Sequence, residues 1–368
     1  MKFFCNPKAL MYSISIVQKA VSSKSTLPIL KGIYLEAFDQ SLRLVATDME
    51  LGIDHIMDAD IIEEGSVVVD AKLFSDIIRK LPDSRVEISL KDSSELLIRC
   101  DSIKFNILSY SSSEFPELPK IEEEQMNEIP QELFKNMIRQ TVFATAKDET
   151  RPILTGVLME AEEDTLNMVA LDGYRVAVRR SKIESQLNNK VVIPSKTLNE
   201  INSIMSGEDG EKIQISLANN HALFIIDNTK LISRLLEGEF INYEQVIPQE
   251  FESRVKIKTR QLLDSMERAF LLGGEGRNNL VKFTISDQKM KINSNSELGN
   301  IHEEIEIELE GENLQIAFNS KYFIDALRVI DDDAIYLEFT TELSPGIIKP
   351  VDNDDTIYLV LPVRLASY

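Results

Sequence analysis

The chain has 368 residues, which is too long for one ordinary domain and typical of two or three. Its formal net charge of −21, from 61 Asp and Glu against 40 Lys and Arg, excludes a phosphate-binding surface spread over the whole molecule, because such binding needs concentrated positive charge. No apolar run approaches the roughly 20 residues that cross a bilayer, and the first residues do not predict a secretory signal.

Hydrophobic periodicity predicts one order of elements three times along the chain. Each stretch begins with a helix, at residues 7–21, 130–144 and 259–272. Strands such as 32–36 and 41–46 follow, and then a second helix, at 72–81, 196–205 and 321–329. Alternating strands close each stretch, at 86–90, 213–217 and 335–339. Pro7 and Pro130 suit the first turn of a helix, and Ser195 and Asn319 suit helix N-caps.

Short matches at a nearly constant spacing indicate an internal repeat. LPIL at 27–30 returns as RPIL 124 positions later, and ATD at 46–48 returns as ALD at the same spacing. VVVDAK at 67–72 returns as VVIPSK at 191–196 and again as QIAFNSK at 315–321. Several matches in one order and at one spacing predict three homologous α+β domains, at 1–121, 128–248 and 249–368. The predicted linkers are the acidic stretch 121–128 and the region 248–253.

Positive charge is concentrated in the predicted helices. The segments 7–24, 71–81, 130–142, 195–205, 258–271 and 320–329 hold 14 Lys and Arg against six Asp and Glu. The strands and loops therefore carry more than the whole net negative charge. If the helices line one surface, that surface is positive within an acidic shell, which favours weak and non-specific contact with phosphates.

Residues for catalysis are scarce. The three histidines are His55, His221 and His302, and their sequence contexts are unrelated. The sequence therefore offers few candidate ligands for a metal cluster and few candidate bases for a nucleophilic triad. The glycine-rich stretch 273–277 follows a helix and lacks the Gly-Lys-Ser/Thr ending of a phosphate loop, which favours a turn. The acidic run 331–333 is interpreted as a solvated loop between a helix and a strand. We expect no metal, no cofactor and no catalytic site.

Two further residue pairs have structural interpretations. Asp48 and Asp172 occupy the same place in two repeats, which predicts a shared role in a turn rather than a catalytic carboxylate pair. Cys5 and Cys100 lie far apart and lack metal-ligand spacing. They predict two buried thiols in a reducing cytoplasm, and hence a cytoplasmic location.

Several longer motifs resemble the bacterial DNA polymerase III beta subunit. TRPILTGV at 150–157, ALDGYRVAV at 170–178, LEGEFINYEQVIP at 236–248 and YLVLPVRL at 358–365 carry the likeness, together with TLPIL at 26–30 and ATDMELG at 46–52. The resemblance runs the full length and reproduces the threefold repeat. It implies three clamp domains, each with two helices packed on antiparallel sheets, in a ring-forming head-to-tail homodimer with helices lining the hole.

The resemblance also implies a function and partners. The family's rings encircle double-stranded DNA without sequence specificity and act as non-catalytic subunits of the DNA polymerase III holoenzyme. They tether the polymerase III alpha subunit, the clamp loader and other proteins that carry a clamp-binding motif. No membrane role is expected. By matching motif positions, the implied DNA-contacting residues are Lys24, Arg151 and Lys196.

The implied partner site is an apolar groove between the second and third domains, suited to an extended peptide with Gln, Leu and Phe side chains. Its residues are Arg151, Ile153, Leu154, Leu171, Gly173, Tyr174, Arg175, Val176, Ile241, Val246, Tyr322, Leu359, Leu361, Pro362, Val363 and Arg364. Pro152 and Ile153 stand where some members have an aromatic residue.

Ring closure is expected to join the first domain of one chain to the third domain of the other. A basic helix carries Lys72, Arg79 and Lys80, and an acidic strand carries Glu303, Glu304, Glu306 and Glu308. Opposite charges at the two ends suit a heterologous interface that closes by rotation. The resemblance adds an apolar centre made of Phe105, Leu271 and Leu272.

Two other hypotheses remain open at this point. One is a scaffold of repeated protein-binding domains with no DNA role, which would show helices no more positive than the remaining chain. The other is an enzyme with an unrecognised carboxylate site, which would need titratable residues that converge in a pocket.

Overall fold

The computed structural model describes residues 1–22, 25–92, 94–121, 126–148, 150–184, 188–218, 220–273, 279–297 and 299–364. The chain folds into two compact units. The first unit contains Met1–Glu132 and Glu200–Leu235, and the second contains Leu133–Asn199 and Leu236–Tyr368. The middle repeat therefore contributes residues to both units.

Each repeat supplies two α-helices to the described part of the chain. They are α1 (Pro7–Val17), α2 (Ala71–Arg79), α3 (Gln131–Thr141), α4 (Ser195–Ile204), α5 (Thr259–Gly273) and α6 (Ser320–Leu327). Short 3₁₀ turns extend α1 through Gln18–Ala20 and α3 through Val142–Ala144. The six predicted helices are thus confirmed, with ends that differ by a few residues.

The remaining ordered backbone is mostly antiparallel strand. The first repeat has β1 (Lys2–Cys5), β2 (Gly32–Phe38), β3 (Ser41–Thr47), β4 (Leu51–Asp58), β5 (Asp60–Glu63), β6 (Gly65–Asp70), β7 (Val86–Asp92), β8 (Glu95–Cys100) and β9 (Ile103–Tyr110). The middle repeat has β10 (Asn127–Pro130), β11 (Gly156–Glu162), β12 (Thr165–Leu171), β13 (Arg175–Lys182), β14 (Asn189–Pro194), β15 (Lys212–Leu217), β16 (His221–Ile226) and β17 (Thr229–Arg234). The third has β18 (Ser253–Lys258), β19 (Leu280–Ser286), β20 (Lys289–Ser296), β21 (Gly299–Glu306), β22 (Glu308–Gly311), β23 (Leu314–Asn319), β24 (Ala334–Phe339), β25 (Gly346–Pro350) and β26 (Thr356–Val360).

Strands of neighbouring repeats pair side by side within each unit. In the first unit one sheet runs β10-β15-β16-β17-β4-β3-β2-β6-β9-β8-β7-β1-β5, and β17 of the middle repeat lies against β4 of the first. In the second unit a sheet runs β14-β11-β12-β13-β26-β25-β24-β18-β22, and β13 of the middle repeat lies against β26 of the third. A further sheet of the second unit runs β21-β20-β19-β23. The pairing between repeats hides strand edges that would otherwise be exposed.

Helices bury their apolar faces on these sheets. In the first unit α1 packs on α2, β3 and β4, and Leu10, Ile14 and Val17 have no measurable exposure. In the second unit α5 packs on α6 and β20. Phe323 of α6 packs in an aromatic group with Phe283, Phe318 and Phe339, in which contacting ring centroids are 4.9–6.2 Å apart. Both helices therefore rest on a close-packed aromatic and aliphatic core.

Two predicted helix starts are wrong. Pro130 is the last residue of β10 rather than a first-turn residue, because Gln131 N–H still donates to the Glu211 carbonyl at 2.9 Å and continues the strand pairing. Ser195 is the first residue of α4 rather than its cap, since the preceding residue belongs to β14. Pro7 does begin α1, and the Asn319 side chain caps α6 by accepting from Lys321 N–H at 3.0 Å.

The predicted linkers and loops agree only in part with the observed secondary structure. Residues 122–125 and 274–277 lie outside the described residues, and Gly273 ends α5. Glu128 belongs to β10 and Ser253 begins β18, so both predicted linkers end inside strands. The 331–333 run is a loop between α6 and β24, as predicted, and the Asp332 and Asp333 carbonyls accept from the Thr259 side chain and main chain.

Candidate functional site

The predicted groove residues lie together in the second unit, where β13 pairs with β26. Val176 stands opposite Leu359 in this pair of strands. Just beyond β26, the Leu361 N–H donates to the carbonyl oxygen of Tyr174 at 2.8 Å. This pairing brings side chains of the middle and third repeats onto one surface, although they are nearly two hundred residues apart.

The floor of this groove is apolar and buried. Four of the predicted residues belong to one cluster whose members are at most 8% exposed: Leu154, Leu171, Val176 and Leu359. The segment between β17 and β18 adds Phe240, Tyr243 and Ile247, and Ile153 and Leu236 pack against the cluster. The floor is therefore part of the unit's core and is shaped before any ligand arrives.

Apolar side chains are also exposed around the floor. The exposed fractions are 61% for Tyr174, 41% for Ile241, 42% for Val246, 36% for Leu361 and 37% for Val363. Five large apolar residues are thus exposed in the segments around one buried cluster, and concentrated apolar surface of this kind is typical of interaction sites. Leu359 lies within β26 and is buried, whereas Leu361 follows the last residue of that strand and is exposed.

The remaining predicted groove residues are polar or small. Gly173 has φ +89°, in the left-handed region that favours glycine, and nothing lies within 4 Å of the position that a Cβ would take. Pro362 is half-buried, and Arg151 and Arg364 are exposed. Open space beside Gly173 and two exposed guanidinium groups suit a ligand that carries polar as well as apolar groups.

Arg175 differs from the other predicted groove residues because its guanidinium is buried and already occupied. Its Nε donates to Asp172 at 2.9 Å, one terminal nitrogen donates to Asp325 at 2.7 Å, and the other donates to the Phe143 carbonyl at 2.8 Å. The residue is 6% exposed. Sequence reasoning missed Asp325 and Phe143, and only the three-residue spacing of Asp172 and Arg175 hinted at this network.

Aromatic rings continue the network toward the surface. The Arg175 guanidinium carbon lies 5.4 Å from the Phe143 ring centroid and 4.8 Å from the Tyr322 ring centroid. Tyr322 stacks on Tyr174 with a centroid distance of 6.3 Å and an interplanar angle of 19°. Burial, and secondarily Asp172, raise the pKa of Tyr322. Four planar groups therefore form a stack that ends at the exposed Tyr174 ring.

Two of the three predicted DNA-contacting residues, Arg151 and Lys196, lie within the described part of the chain. Lys24 lies outside the described residues. Arg151 is exposed just before a 3₁₀ turn at Pro152–Thr155, and Lys196 is exposed on the first turn of α4. Both described residues belong to the second unit.

Many helix cations pair with carboxylates of their own unit. The pairs are Lys8–Asp83, Lys19–Glu200, Arg79–Asp76, Arg139–Asp331, Arg260–Asp264, Arg268–Glu303, Lys321–Asp325 and Arg328–Glu267. Several of these acids lie outside the helical segments whose charge was counted from the sequence. The helices are therefore less positive toward phosphates than their residue count predicts.

The predicted interface residues of the first unit lie on α2, at the residue that caps its C-terminus and on β9. Lys72 and Lys80 are exposed, and Arg79 lies 3.7 Å from Asp76. Phe105 is 37% exposed. Two further exposed apolar residues on α2 and β9, Leu73 and Leu108, were not predicted from the sequence. In the sequence, each of these leucines stands at a position of its element where a polar residue is expected. Such a deviation is weak evidence for an interface when only one sequence is considered.

The predicted interface residues of the second unit lie on α5 and β21. Leu271 is 78% exposed and Leu272 is half-buried. Glu303 pairs with Arg268, and Glu304 pairs with Lys289 at 2.6 Å, while Glu306 is exposed. These partners lower the pKa values of Glu303 and Glu304. Much of the predicted acidic character is thus compensated inside the chain.

Two other properties bear on the kind of site. Within the described residues, no three His, Cys, Asp or Glu side chains are grouped so that they could hold a metal ion. Among the helices described above, none has the length and apolar character of a membrane-crossing segment.

A threefold repeat of two helices and antiparallel sheets, joined by strand pairing between repeats and carrying an apolar groove, defines the class of DNA sliding clamps. Sequence profiles of the DNA polymerase III beta subunit match in chain order: the N-terminal domain at 1–119, the central domain at 128–242 and the C-terminal domain at 244–364. The chain belongs to the DNA polymerase III beta subunit family. Members of this family are processivity factors without catalytic activity.

Individual relatives agree over nearly the whole chain. The Beta sliding clamp of Halalkalibacterium halodurans is 37% identical over 380 residues, which cover 99% of this chain and 100% of the relative. The solved DNA polymerase sliding clamp of Bacillus subtilis has a TM-score of 0.96 at 37% identity and covers 99% of both chains. The DNA polymerase III beta subunit of Thermotoga maritima has a TM-score of 0.92 at 31% identity, covering 99% of this chain and 100% of that one.

Proposed function

We propose that this chain works as a DNA sliding clamp, which encircles duplex DNA as a closed ring of two copies and tethers a replicative polymerase to it. The observation that carries the proposal is the full-length agreement with beta sliding clamps in sequence, domain order and backbone. We place the domain boundaries at 1–121, 128–248 and 249–368, and the protein in the cytoplasm.

The tethering function is assigned to the groove of the second unit. Its buried floor and exposed rim, from Leu154 and Leu359 to Tyr174 and Leu361, offer pockets for alternate side chains of an extended peptide. The exposed Arg151 and Arg364 would fix the register through hydrogen bonds. Peptides of the polymerase III alpha subunit, the clamp loader and other clamp-binding proteins are the proposed ligands.

The DNA-holding function is assigned to enclosure together with weak contact. Lys24, Arg151 and Lys196 are the proposed phosphate contacts. Other helix cations, such as Lys19, Arg139 and Arg328, form ion pairs with carboxylates of the chain. Weak electrostatic attraction allows sliding, because phosphate contacts do not depend on sequence and are equivalent at successive positions along the duplex. The acidic remainder of the chain disfavours DNA elsewhere on the surface.

Ring closure is assigned to the exposed apolar residues of α2, β9 and α5. Phe105 and Leu108 on β9 would meet Leu271 on α5 of a second copy, with Lys72, Arg79 and Lys80 opposite Glu303, Glu304 and Glu306. A heterologous contact repeated twice closes when the rotation between copies is half a turn. Burial of Leu271 would remove a large exposed apolar surface from water.

The test is retention on circular DNA. The protein is loaded by a clamp loader on a nicked circular plasmid, separated from free protein at high salt and then treated with a restriction enzyme that cuts once. We expect retention on the circle and release after cutting, because a ring slides off free ends. The matched control is the same plasmid without the cutting site. Retention on the linear product would contradict the proposal.

A further inference from the structure

The loop between β12 and β13, which carries Arg175, has a counterpart between β3 and β4. In the second-unit loop, the Asp172 side chain accepts from the main-chain N–H groups of Tyr174 at 2.9 Å and Arg175 at 3.1 Å. In the first-unit loop, Asp48 accepts from the N–H groups of Glu50 at 3.1 Å and Leu51 at 2.8 Å. The predicted shared turn role of the two aspartates is confirmed.

The two loops also receive the same hydrogen bond from the next repeat. Leu361 N–H donates to the Tyr174 carbonyl, and Arg234 N–H donates to the Glu50 carbonyl, both at 2.8 Å. The backbone therefore takes one form whether the fourth loop residue is arginine or leucine. Folding of the loop does not require the buried guanidinium, so Arg175 needs another explanation.

What Arg175 adds is a fixed contact with aromatic rings. Asp172 and Asp325 hold its guanidinium from two sides, and the guanidinium lies over the ring of Tyr322. Asp325 is on α6 of the third repeat and is 16% exposed at its side chain. Charge-assisted hydrogen bonds to two carboxylates are strong and directional, so the guanidinium plane is well defined.

We propose that Asp325 is a positioning residue for the peptide groove: it holds Arg175 against Tyr322, and Tyr322 in turn holds the exposed Tyr174 ring ready for a ligand side chain. This inference rests on the proposed peptide-binding function. A ring that is already immobilised costs less entropy on binding, and it offers a flat apolar face to an aromatic or aliphatic side chain. Arg175 acts through the ring stack, since each guanidinium nitrogen already donates within the chain.

A single tryptophan can report on the ring directly. The sequence contains no Trp, so Tyr174→Trp introduces the only one. Adding Asp325→Asn removes the negative charge that holds Arg175, while the side chain at position 325 keeps nearly the same shape. We expect red-shifted emission and acrylamide quenching that is about twofold stronger, because the indole leaves its stacked position. The matched control is Asp264→Asn, which removes the acid of the i,i+4 pair with Arg260 on α5 and should leave emission unchanged.

Peptide affinity supplies the second measurement, in chains that keep Tyr174. A fluorescein-labelled peptide with Gln, Leu and Phe side chains is titrated by anisotropy. We expect Asp325→Asn to raise its Kd about tenfold and Asp325→Glu to recover part of the loss, because the carboxylate is restored. Asp264→Asn should leave the Kd unchanged.

The outcomes separate this inference from the proposed function. If the unaltered chain does not bind the peptide, the proposed function fails, while the tryptophan emission still tests whether Asp325 positions the ring. Unchanged quenching in the Asp325→Asn chain overturns the positioning role, and changed quenching with an unchanged Kd overturns its link to the groove. Should Asp325→Asn fail to fold, Tyr322→Leu removes the middle ring without exposing a charge. Tyr322→Leu should raise both the acrylamide quenching and the peptide Kd. If one of these two quantities stays unchanged, the inference is overturned.

Discussion

His55 Nδ1 lies 2.8 Å from Oγ1 of Thr229, and this contact joins β4 of the first repeat to β17 of the middle repeat. The histidine is 7% exposed. Burial lowers the pKa of His55 below its ordinary value of 6.5, and the nearby Asp54 offsets only part of this effect. The folded state therefore keeps the imidazole neutral at pH values where the unfolded chain would take up a proton.

The stability of the first unit should fall with acidification through His55. Below pH 6.5 the unfolded chain binds a proton that the folded chain does not, so unfolding becomes more favourable by at most about 1.4 kcal/mol per pH unit. The loss begins near pH 6.5 and ends at the lower folded-state pKa. Urea unfolding of the unaltered chain and of His55→Gln at pH 7.5 and 5.5 checks this, and we expect the variant to lose less stability.

The matched control for this measurement is His302→Gln. His302 is exposed on β21 and contacts Asn293, so its replacement removes a histidine while the contact between His55 and Thr229 stays in place. Parallel pH dependence of the unaltered chain and His55→Gln would contradict the assignment of a depressed pKa to His55.

The two thiols should be inert in the folded protein. Burial raises the pKa of Cys5 to about 12 and also raises the pKa of Cys100, and both side chains are buried and free. Because the thiolate is the reactive form, we expect no reaction with a disulfide reagent at pH 8 and reaction of both thiols after unfolding in guanidinium. Ser113→Cys, at an exposed position, is the reactive control. Rapid labelling of the folded, unaltered chain would show that the thiols are accessible.

Leu361→Ala should weaken peptide binding without affecting self-association. Leu361 is 36% exposed at the groove rim, and loss of three carbon atoms from an apolar contact typically costs about 1–2 kcal/mol, or roughly tenfold in Kd. Tyr174→Ala should act in the same direction. Leu343→Ala is the matched control, because Leu343 is 68% exposed in a loop of the same unit outside the groove. Equal peptide Kd values for the unaltered chain and both groove variants would remove the groove assignment.

Leu271→Glu should separate the two copies of the proposed ring. A carboxylate buried at the centre of an apolar contact loses hydration without gaining a partner, which typically costs several kcal/mol and shifts the dimer to a monomer at micromolar concentration. Sedimentation equilibrium measures the change in mass. Leu343→Glu adds the same charge at another exposed leucine and should leave the mass unchanged. A dimeric Leu271→Glu chain would argue against this surface as the interface.

The chain order of helices and strands follows from local pattern. The alternation of strands such as β3 and the helical periodicity of α5 depend on residues within one strand or a few helical turns, and the 124-residue spacing of short matches predicts the repeat. The paired turns at Asp48 and Asp172 were also predictable, because an aspartate that accepts from the next two or three N–H groups acts within four residues. The groove positions were predicted only through resemblance to a family.

The charge distribution shows the limit of counting residues. Lys8 and Arg139 were counted as free positive charge on helices, but they pair with Asp83 and Asp331, which are 75 and 192 residues away and lie outside the counted segments. A net charge summed along one element cannot include acids that other elements bring to it. The sequence count overstated the positive potential for that reason.

The sequence by itself determined which elements form and that they recur three times, because periodicity and turn chemistry act over a few residues. The tertiary structure alone decided that β4 pairs with β17 and β13 with β26, and that Arg175 lies between Asp172 and Asp325. Such contacts depend on how whole sheets and helices pack, and many sequences with the same local pattern could pair their strands differently. The ring stack at Tyr174 exists because packing brings an aspartate of α6 within 2.7 Å of a guanidinium 150 residues away.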